Sequence, residues 1–198
     1  MAALPYALSV HHFVSQVGDY VGFAAIVAVA ILAACGSSQK GKSGVTAADQ
    51  LPQPVGREDL TILGRLLDLE RRTVAAYTAG MPLLPKPEAK TARQFLFEEL
   101  QHTGELLSLI KTAGGDDPPR RASYDLGDPR TDKQVLALLH TLERAQIAAY
   151  LHAIPRLKPG PVRAAATTIL ASDAQHIAIL RLAQGLEPAP SPFVTAAE

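Results

Sequence analysis

From Arg57 onward, apolar residues recur every three or four positions in four separate stretches, the spacing that lines one face of a helix. Each stretch lies between helix start and stop signals. The first runs from about Arg57 to Ala79, with Glu58 and Asp59 in its opening turn and Gly80 and Pro82 behind it. The second starts near Pro87 and Glu88 and ends at Gly114 and Gly115. The third opens on Thr131-Asp132-Lys133-Gln134, a capping-box pattern, and stops at Pro155. The fourth begins at Gly160-Pro161, with proline at a favoured first-turn position, and closes at Gly185. Nothing between them reads as a strand, so the pattern predicts an all-α domain.

Short Pro-containing turns join the first helix to the second and the third to the fourth, which makes each pair an antiparallel hairpin. Between the hairpins, Gly114 to Arg130 carries Pro118, Pro119 and Pro129 and is long enough to cross the bundle from end to end. The residues after Gly185, rich in proline, are expected to form a disordered tail over 186–198.

The hairpins resemble each other. Leu69-Glu70-Arg71 and Leu142-Glu143-Arg144 are each followed, after three residues, by Ala-Ala-Tyr, ending at Tyr77 and Tyr150. In the second helix of each pair stand Glu99-Leu100-Gln101-His102 and Asp173-Ala174-Gln175-His176. One residue more separates the histidines than the glutamates, a difference that a hairpin turn absorbs. Duplication accounts for this most simply.

The apolar stripes are interrupted at matching places. They read Leu63, Leu66 or Leu67, Glu70, Val74, Tyr77; then Phe95, Glu99, His102, Leu106, Leu109. The third and fourth read Leu136, Leu139, Glu143, Ile147, Tyr150 and Ile169, Asp173, His176, Leu180. Four carboxylates in one core need counter-charge, because an unpaired buried charge costs several kcal/mol even after relaxation, on the order of 3 to 5 when a partner is missing. Two histidinium ions offset two charges, whereas two divalent cations offset all four and leave the imidazoles free to bind. Carboxylate and imidazole together suit iron or manganese, and the domain has no thiolate. Glu98 lies on the flank of its stripe and is set aside as a ligand. Arg71, Arg72 and Arg144 are expected to form a solvated face.

A Glu from each of two helices, with Glu-x-x-His from the other two, resembles the ferritin-like di-iron carboxylate superfamily over about residues 57–185. The resemblance implies a ferritin-like four-helix bundle of two duplicated hairpins with a long crossover connection. It makes Glu70 and Glu143 terminal ligands, Glu99 and Asp173 bridging carboxylates, and His102 and His176 terminal imidazoles of two Fe ions, with Mn as the alternative. Tyr77 and Tyr150 are similar to the tyrosine that hydrogen-bonds site carboxylates in ferritins and rubrerythrins, and are the candidate catalytic residues. Asp173 departs from the family's Glu, one methylene shorter, so its side of the site is expected to be the weaker. The implied activity is oxidoreductase chemistry with Fe(II) and dioxygen or peroxide, of ferroxidase or peroxidase type. The alternative is a non-enzymatic envelope or stress-protection protein on the same scaffold. A homodimer is compatible with either.

Charge and composition change the picture at the N-terminus. Nineteen basic residues balance nineteen acidic ones, and no Lys/Arg cluster would grip phosphates, which sets nucleic acid aside as a partner. The first 34 residues contain no Lys or Arg and one acid, Asp19. An apolar run from Tyr20 to Cys35 predicts an N-terminal hydrophobic helix, and its end, Leu32-Ala33-Ala34-Cys35-Gly36, resembles a bacterial lipobox. Residues 1–35 are therefore expected to be a signal peptide with lipid attachment at Cys35, giving an extracytoplasmic, membrane-anchored lipoprotein. The missing n-region charge leaves a second arrangement open, an uncleaved transmembrane anchor with a cytoplasmic domain, favoured by Lys40 and Lys42. A soluble form is the third. Residues 36–56, rich in Gly, Ser, Lys and Gln, read as a flexible linker.

Overall fold

A computed structural model describes residues 54–198. The N-terminal hydrophobic helix, the lipid-attachment site at Cys35 and most of the 36–56 linker lie outside the described residues. Four α-helices follow in order: α1 (Arg57–Gly80), α2 (Lys86–Thr112), α3 (Asp132–Ala153) and α4 (Gly160–Ala183). There is no strand among the described residues, and none of their helices is long and apolar enough to cross a membrane.

The local chemistry of the ends explains the boundaries. Thr131 Oγ1 accepts from the Gln134 N–H at 3.3 Å, and the Gln134 side chain accepts from the Thr131 and Arg130 N–H groups at 3.2 and 2.8 Å. That box starts α3 where the sequence places it. At the end of α4, Gly185 takes a φ of 73° and the Leu186 N–H reaches the Arg181 carbonyl at 2.9 Å. Gly114, φ 75°, ends α2 with the same motif, the Gly115 N–H donating to the Ile110 carbonyl at 2.9 Å. Each hairpin turn is a single 3₁₀ turn with proline in its first residues, Met81–Leu83 and Ile154–Arg156.

α1 packs along both α2 and α3, α3 along α4, and α2 meets α4 over a sparser seam. The apolar core comes in two clusters. One, at the Arg57 end of α1, holds Leu63, Leu67, Leu106, Ile110, Leu157 and Ile169. The other, at the Gly80 end, holds Ala76, Phe95, Val135, Leu139, Leu142 and Leu180. Glu70, Glu99, Glu143 and Asp173 occupy the level between them, completely out of solvent. Gly80 belongs to the close approach of α1 and α3, since a Cβ there would lie 2.7 Å from Cγ1 of the buried, stiff Val135.

Two arginines expected on a solvated face instead hold the crossover against α1. Arg71 donates to the Pro118 carbonyl and the Asp117 carboxylate, both at 2.8 Å, and Arg72 to the Asp125 carbonyl at 3.0 Å. Arg121 and Tyr124 of the crossover meet Asp68 from the other direction, at 2.9 and 3.0 Å. Arg144 and Arg181 do similar work for residues 186–198, donating to the carbonyls of Ala196 and Glu187. The expectation of a disordered tail thus meets a segment that lies on α3 and α4. The physical reason is common to all four arginines: a helix face carrying guanidinium groups gives the unpaired carbonyls of an adjacent irregular segment their donors.

Asp59 ties the bundle's end together. It is fully buried and accepts from the Gly56 N–H at 2.8 Å and from the Lys158 N–H at 3.0 Å, so one carboxylate caps α1 and holds the loop that leads into α4. Replacing Asp59 by Ala is expected to lower unfolding free energy by about 2 kcal/mol, the cost of a lost cap and an unpaired amide. Urea unfolding followed by circular dichroism measures it; a loss under about 0.5 kcal/mol would contradict this role.

Candidate metal centre

The helical stripes bring all six predicted ligands to one level of the bundle, with Glu70 from α1, Glu99 and His102 from α2, Glu143 from α3, and Asp173 and His176 from α4. Their ligand atoms form two groups, in each of which every atom lies within 4.8 Å of the others. One group is Glu99, Glu143, Asp173 and His176; the other is Glu70, Glu99 and His102. Glu99 belongs to both. His102 Nδ1 faces Glu99, Asp173 and Glu70 at 3.5, 3.5 and 3.7 Å, and His176 Nδ1 faces Glu99 and Glu143 at 3.3 Å each. The imidazoles run nearly parallel, 6.2 Å apart, and Phe95 stacks on His176 at 4.1 Å.

Tyr77 and Tyr150 meet the site reciprocally. Tyr77 on α1 donates to Glu143 on α3 at 2.7 Å, and Tyr150 on α3 donates to Glu70 on α1 at 2.5 Å. Each hydroxyl orients the other hairpin's carboxylate. The remaining histidines of the bundle, His140 and His152, join no metal-capable group among the described residues.

Three residues outside the predicted set take part. Gln146 is buried on α3 and its amide nitrogen donates to Glu70 at 2.8 Å and to Glu99 at 2.9 Å. Its carbonyl accepts from Thr73 Oγ1 at 2.8 Å. Both lie three residues after their glutamates, and a helix's inner face admits the i+3 position as well as the i+4 position that the stripe had been drawn through. On α1 Thr73 is buried where Val74 was expected, and on α2, shifted in the opposite direction, Ile110 is buried where Leu109 was. The third is Glu98, set aside as a flank residue, whose carboxylate lies 2.7 Å from His176 Nε2. Immediately before Glu99 on α2, it turns toward α4, and the contact directs the His176 Nδ1 toward the site.

The donor set fits bound metal. Glu99 Oε1, Glu143 Oε2, both Asp173 oxygens and His102 Nδ1 are buried without a hydrogen-bond partner among the described residues. Buried polar atoms are ordinarily paired, and five orphaned oxygen and nitrogen atoms converging on one region are the chemistry of a metal-ligand set.

Protons must otherwise do the neutralising, and the site's acidities reflect it. Burial pushes Glu70 up to about 8, reinforced by the charge of Glu99 and opposed by His102. Burial also raises Glu143, and raises Asp173 well above the carboxylate range with repulsion from Glu70, Glu143 and Glu99 added. Burial alone would lower His102, but Glu70 and Glu99 outweigh it and bring the imidazole to about 9. His176 rises well above its ordinary value because Glu143, Glu98 and Glu99 overcome its burial. Burial opposes ionisation of Glu99 as well, yet its contacts with His102 and His176 hold it below the usual range. Glu98 is held low by its bond to His176.

A four-helix bundle with one long crossover, carrying a carboxylate–histidine cluster at mid-length, defines a ferritin-like scaffold. The family described as ferritin-like domain matches residues 58–186, and the chain belongs to that family. Among solved structures it is similar to a conserved hypothetical protein, rv2844, from Mycobacterium tuberculosis, with a TM-score of 0.62 and 18 % identity over 65 % of this chain and 98 % of that one. At that identity the likeness concerns the fold. No curated protein matches. The buried Glu/His cluster gives the scaffold the means to bind a metal ion.

The acidities set a pH dependence. Glu70, Glu143, Asp173, His102 and His176 all keep their protons to higher pH when folded than when unfolded, while the lowered Glu98 and Glu99 act below the ordinary glutamate value of 4.5. The folded state therefore binds more protons from about 4.5 up to about 9, and metal-free stability falls as pH rises through that window. Metal displaces those protons, so the stabilisation by added Mn(II) is expected to grow with pH. Calorimetric Tm of metal-stripped protein, with and without Mn(II) across this range, checks both; a metal-free Tm that rises with pH would contradict the assignment.

Proposed function

We propose that this chain is a di-metal protein that binds two Fe(II) and performs oxidoreductase chemistry with dioxygen or peroxide, Mn(II) being the alternative metal. The observation that carries the reading is the convergence of four buried carboxylates and two imidazoles whose orphaned atoms lie together. When bound, the metals would supply redox equivalents and Lewis acidity. The protein's part is to hold the ligands and keep water out. Glu70, Glu99 and His102 would take one ion, and Glu99, Glu143, Asp173 and His176 the other, with Glu99 as the shared carboxylate. Tyr77 and Tyr150 act as positioning residues through Glu143 and Glu70. The two apolar clusters cap the site above and below, and the sparser α2–α4 seam carries the partly exposed His102 and Glu98, which makes it the way in for ions.

A second reading has the scaffold serving as a non-enzymatic envelope or stress-protection protein with structural metal or none. The bonds of Gln146 to Glu70 and Glu99 favour it, because they satisfy part of the site without an ion.

Full-length protein loaded anaerobically with Fe(II) and desalted is expected to retain about two irons per chain by elemental analysis; less than one would end the di-iron reading. Replacing Glu70 and Glu143 together by Ala is expected to cut retained iron at least about tenfold and abolish iron-dependent oxygen uptake while helical content is kept. Unchanged oxygen uptake in that variant would favour the second reading.

The domain is further proposed to be tethered to a membrane through a lipid on Cys35, with the uncleaved anchor as the alternative. Labelled palmitate fed to expressing bacteria is expected to enter the wild-type chain and be lost from Cys35→Ser. Equal labelling of both would overturn lipid attachment at Cys35.

A further inference from the structure

We propose that the two metal positions are unequal: the one formed by Glu99, Glu143, Asp173 and His176 fills first, and Gln146 holds back the other. This rests on the two-ion reading above.

The side-chain amide of Gln146 has a fixed sense. Thr73 Oγ1 donates to its carbonyl at 2.8 Å, and the opposite orientation would aim a carbonyl oxygen at two carboxylates. The amide nitrogen therefore faces Glu70 and Glu99, and both its protons are committed, one to Glu70 Oε2 at 2.8 Å and one to Glu99 Oε2 at 2.9 Å. The other oxygen of Glu70 already takes the Tyr150 hydroxyl at 2.5 Å. An ion among Glu70, Glu99 and His102 must compete with the amide for one or both of these oxygens, and it meets the positive end of the N–H dipoles.

At the other position Tyr77 likewise takes one oxygen of Glu143 at 2.7 Å, but no amide bonds Glu143 or Asp173 among the described residues. Glu99 Oε1, Glu143 Oε2 and both oxygens of Asp173 have no hydrogen-bond partner among the described residues. An ion there satisfies orphaned atoms and replaces the 3.3 Å contact of His176 Nδ1 with Glu143 by ligation of both. It also has four protein ligands against three. Glu98, 2.7 Å from His176 Nε2, fixes that imidazole with Nδ1 toward the site, while Ser172 stands at the matching place in the repeat and cannot serve His102 in that way. The shortened arm of Asp173, expected to weaken its half, therefore lies on the half better prepared for metal.

Anaerobic titration of the metal-stripped full chain with Mn(II), followed by calorimetry and by electron paramagnetic resonance of free Mn(II), tests this. Wild type is expected to bind two ions in steps whose Kd values differ by at least about tenfold, the scale of one charge-assisted hydrogen bond. Gln146→Ala is expected to tighten the weaker step by about tenfold and leave the tighter step within about threefold. Gln146→Leu keeps the side-chain volume, and Thr73→Val releases the amide from its anchor; both are expected to shift the weaker step in the same direction. Asp173→Ala is expected to abolish the tight step and keep the weak one. Two equal steps in wild type, an unmoved weak step in every Gln146 and Thr73 variant, or loss of the weak step in Asp173→Ala would each overturn the ordering while leaving the two-ion reading in place. Binding of less than one ion by wild type would overturn both.

Discussion

Glu70, Glu99, Glu143 and Asp173 lie out of water in the middle of the bundle, where four carboxylates repel one another and lose their hydration. The rest of the molecule is arranged around that expense. Protons on some groups, charge on His102 and His176, and the hydrogen bonds of Tyr77, Tyr150 and Gln146 share the neutralisation. Apolar packing on either side must then supply the stability, and the core divides into two clusters because the polar level runs through the whole cross-section. A buried polar network of this kind specifies one register for each helix, since sliding any helix by a turn would strand several partners at once.

That constraint also explains which features were legible in the chain. The four helices, their ends and the crossover follow from local chemistry that neighbours do not override: Thr131 with Gln134, Gly114, Gly185 and the prolines of the turns. The six ligand candidates stood out because an acid or imidazole on an apolar stripe has no bland explanation when it recurs at matching places. Gln146 and Thr73 did not stand out, because both are short or neutral polar residues, common at helix boundaries, and only the packing of α1 on α3 brings them together. Glu98 was hidden for a related reason: its partner sits on α4, 78 residues away, and a flank position tells nothing of which helix lies opposite. The arginines that bind the crossover could not be told from surface charges, since the carbonyls they serve belong to irregular backbone.

The halves of the repeat are alike in frame and unlike in detail. Tyr77 and Tyr150 keep the same role, each serving the carboxylate of the other hairpin. At other matched places the copies have parted: Thr73 against Gln146, Glu99 against Asp173, and Glu98 against Ser172. These three differences fall around the buried cluster, where a change of one side chain alters what its neighbours can bond.

The crossed tyrosine bonds show what such parting requires. Because Tyr77 and Tyr150 reach across to each other's hairpin, a single hairpin holds only half a working set and would need a twin to complete it. In a symmetric pair of twins every substitution appears twice, so an amide opposite a hydroxyl could never arise; both sides would carry the same group. Joining the twins in one chain breaks that symmetry. The 113–131 crossover thus does more than connect two hairpins: it lets one centre hold two different neighbourhoods, which a self-paired hairpin cannot encode.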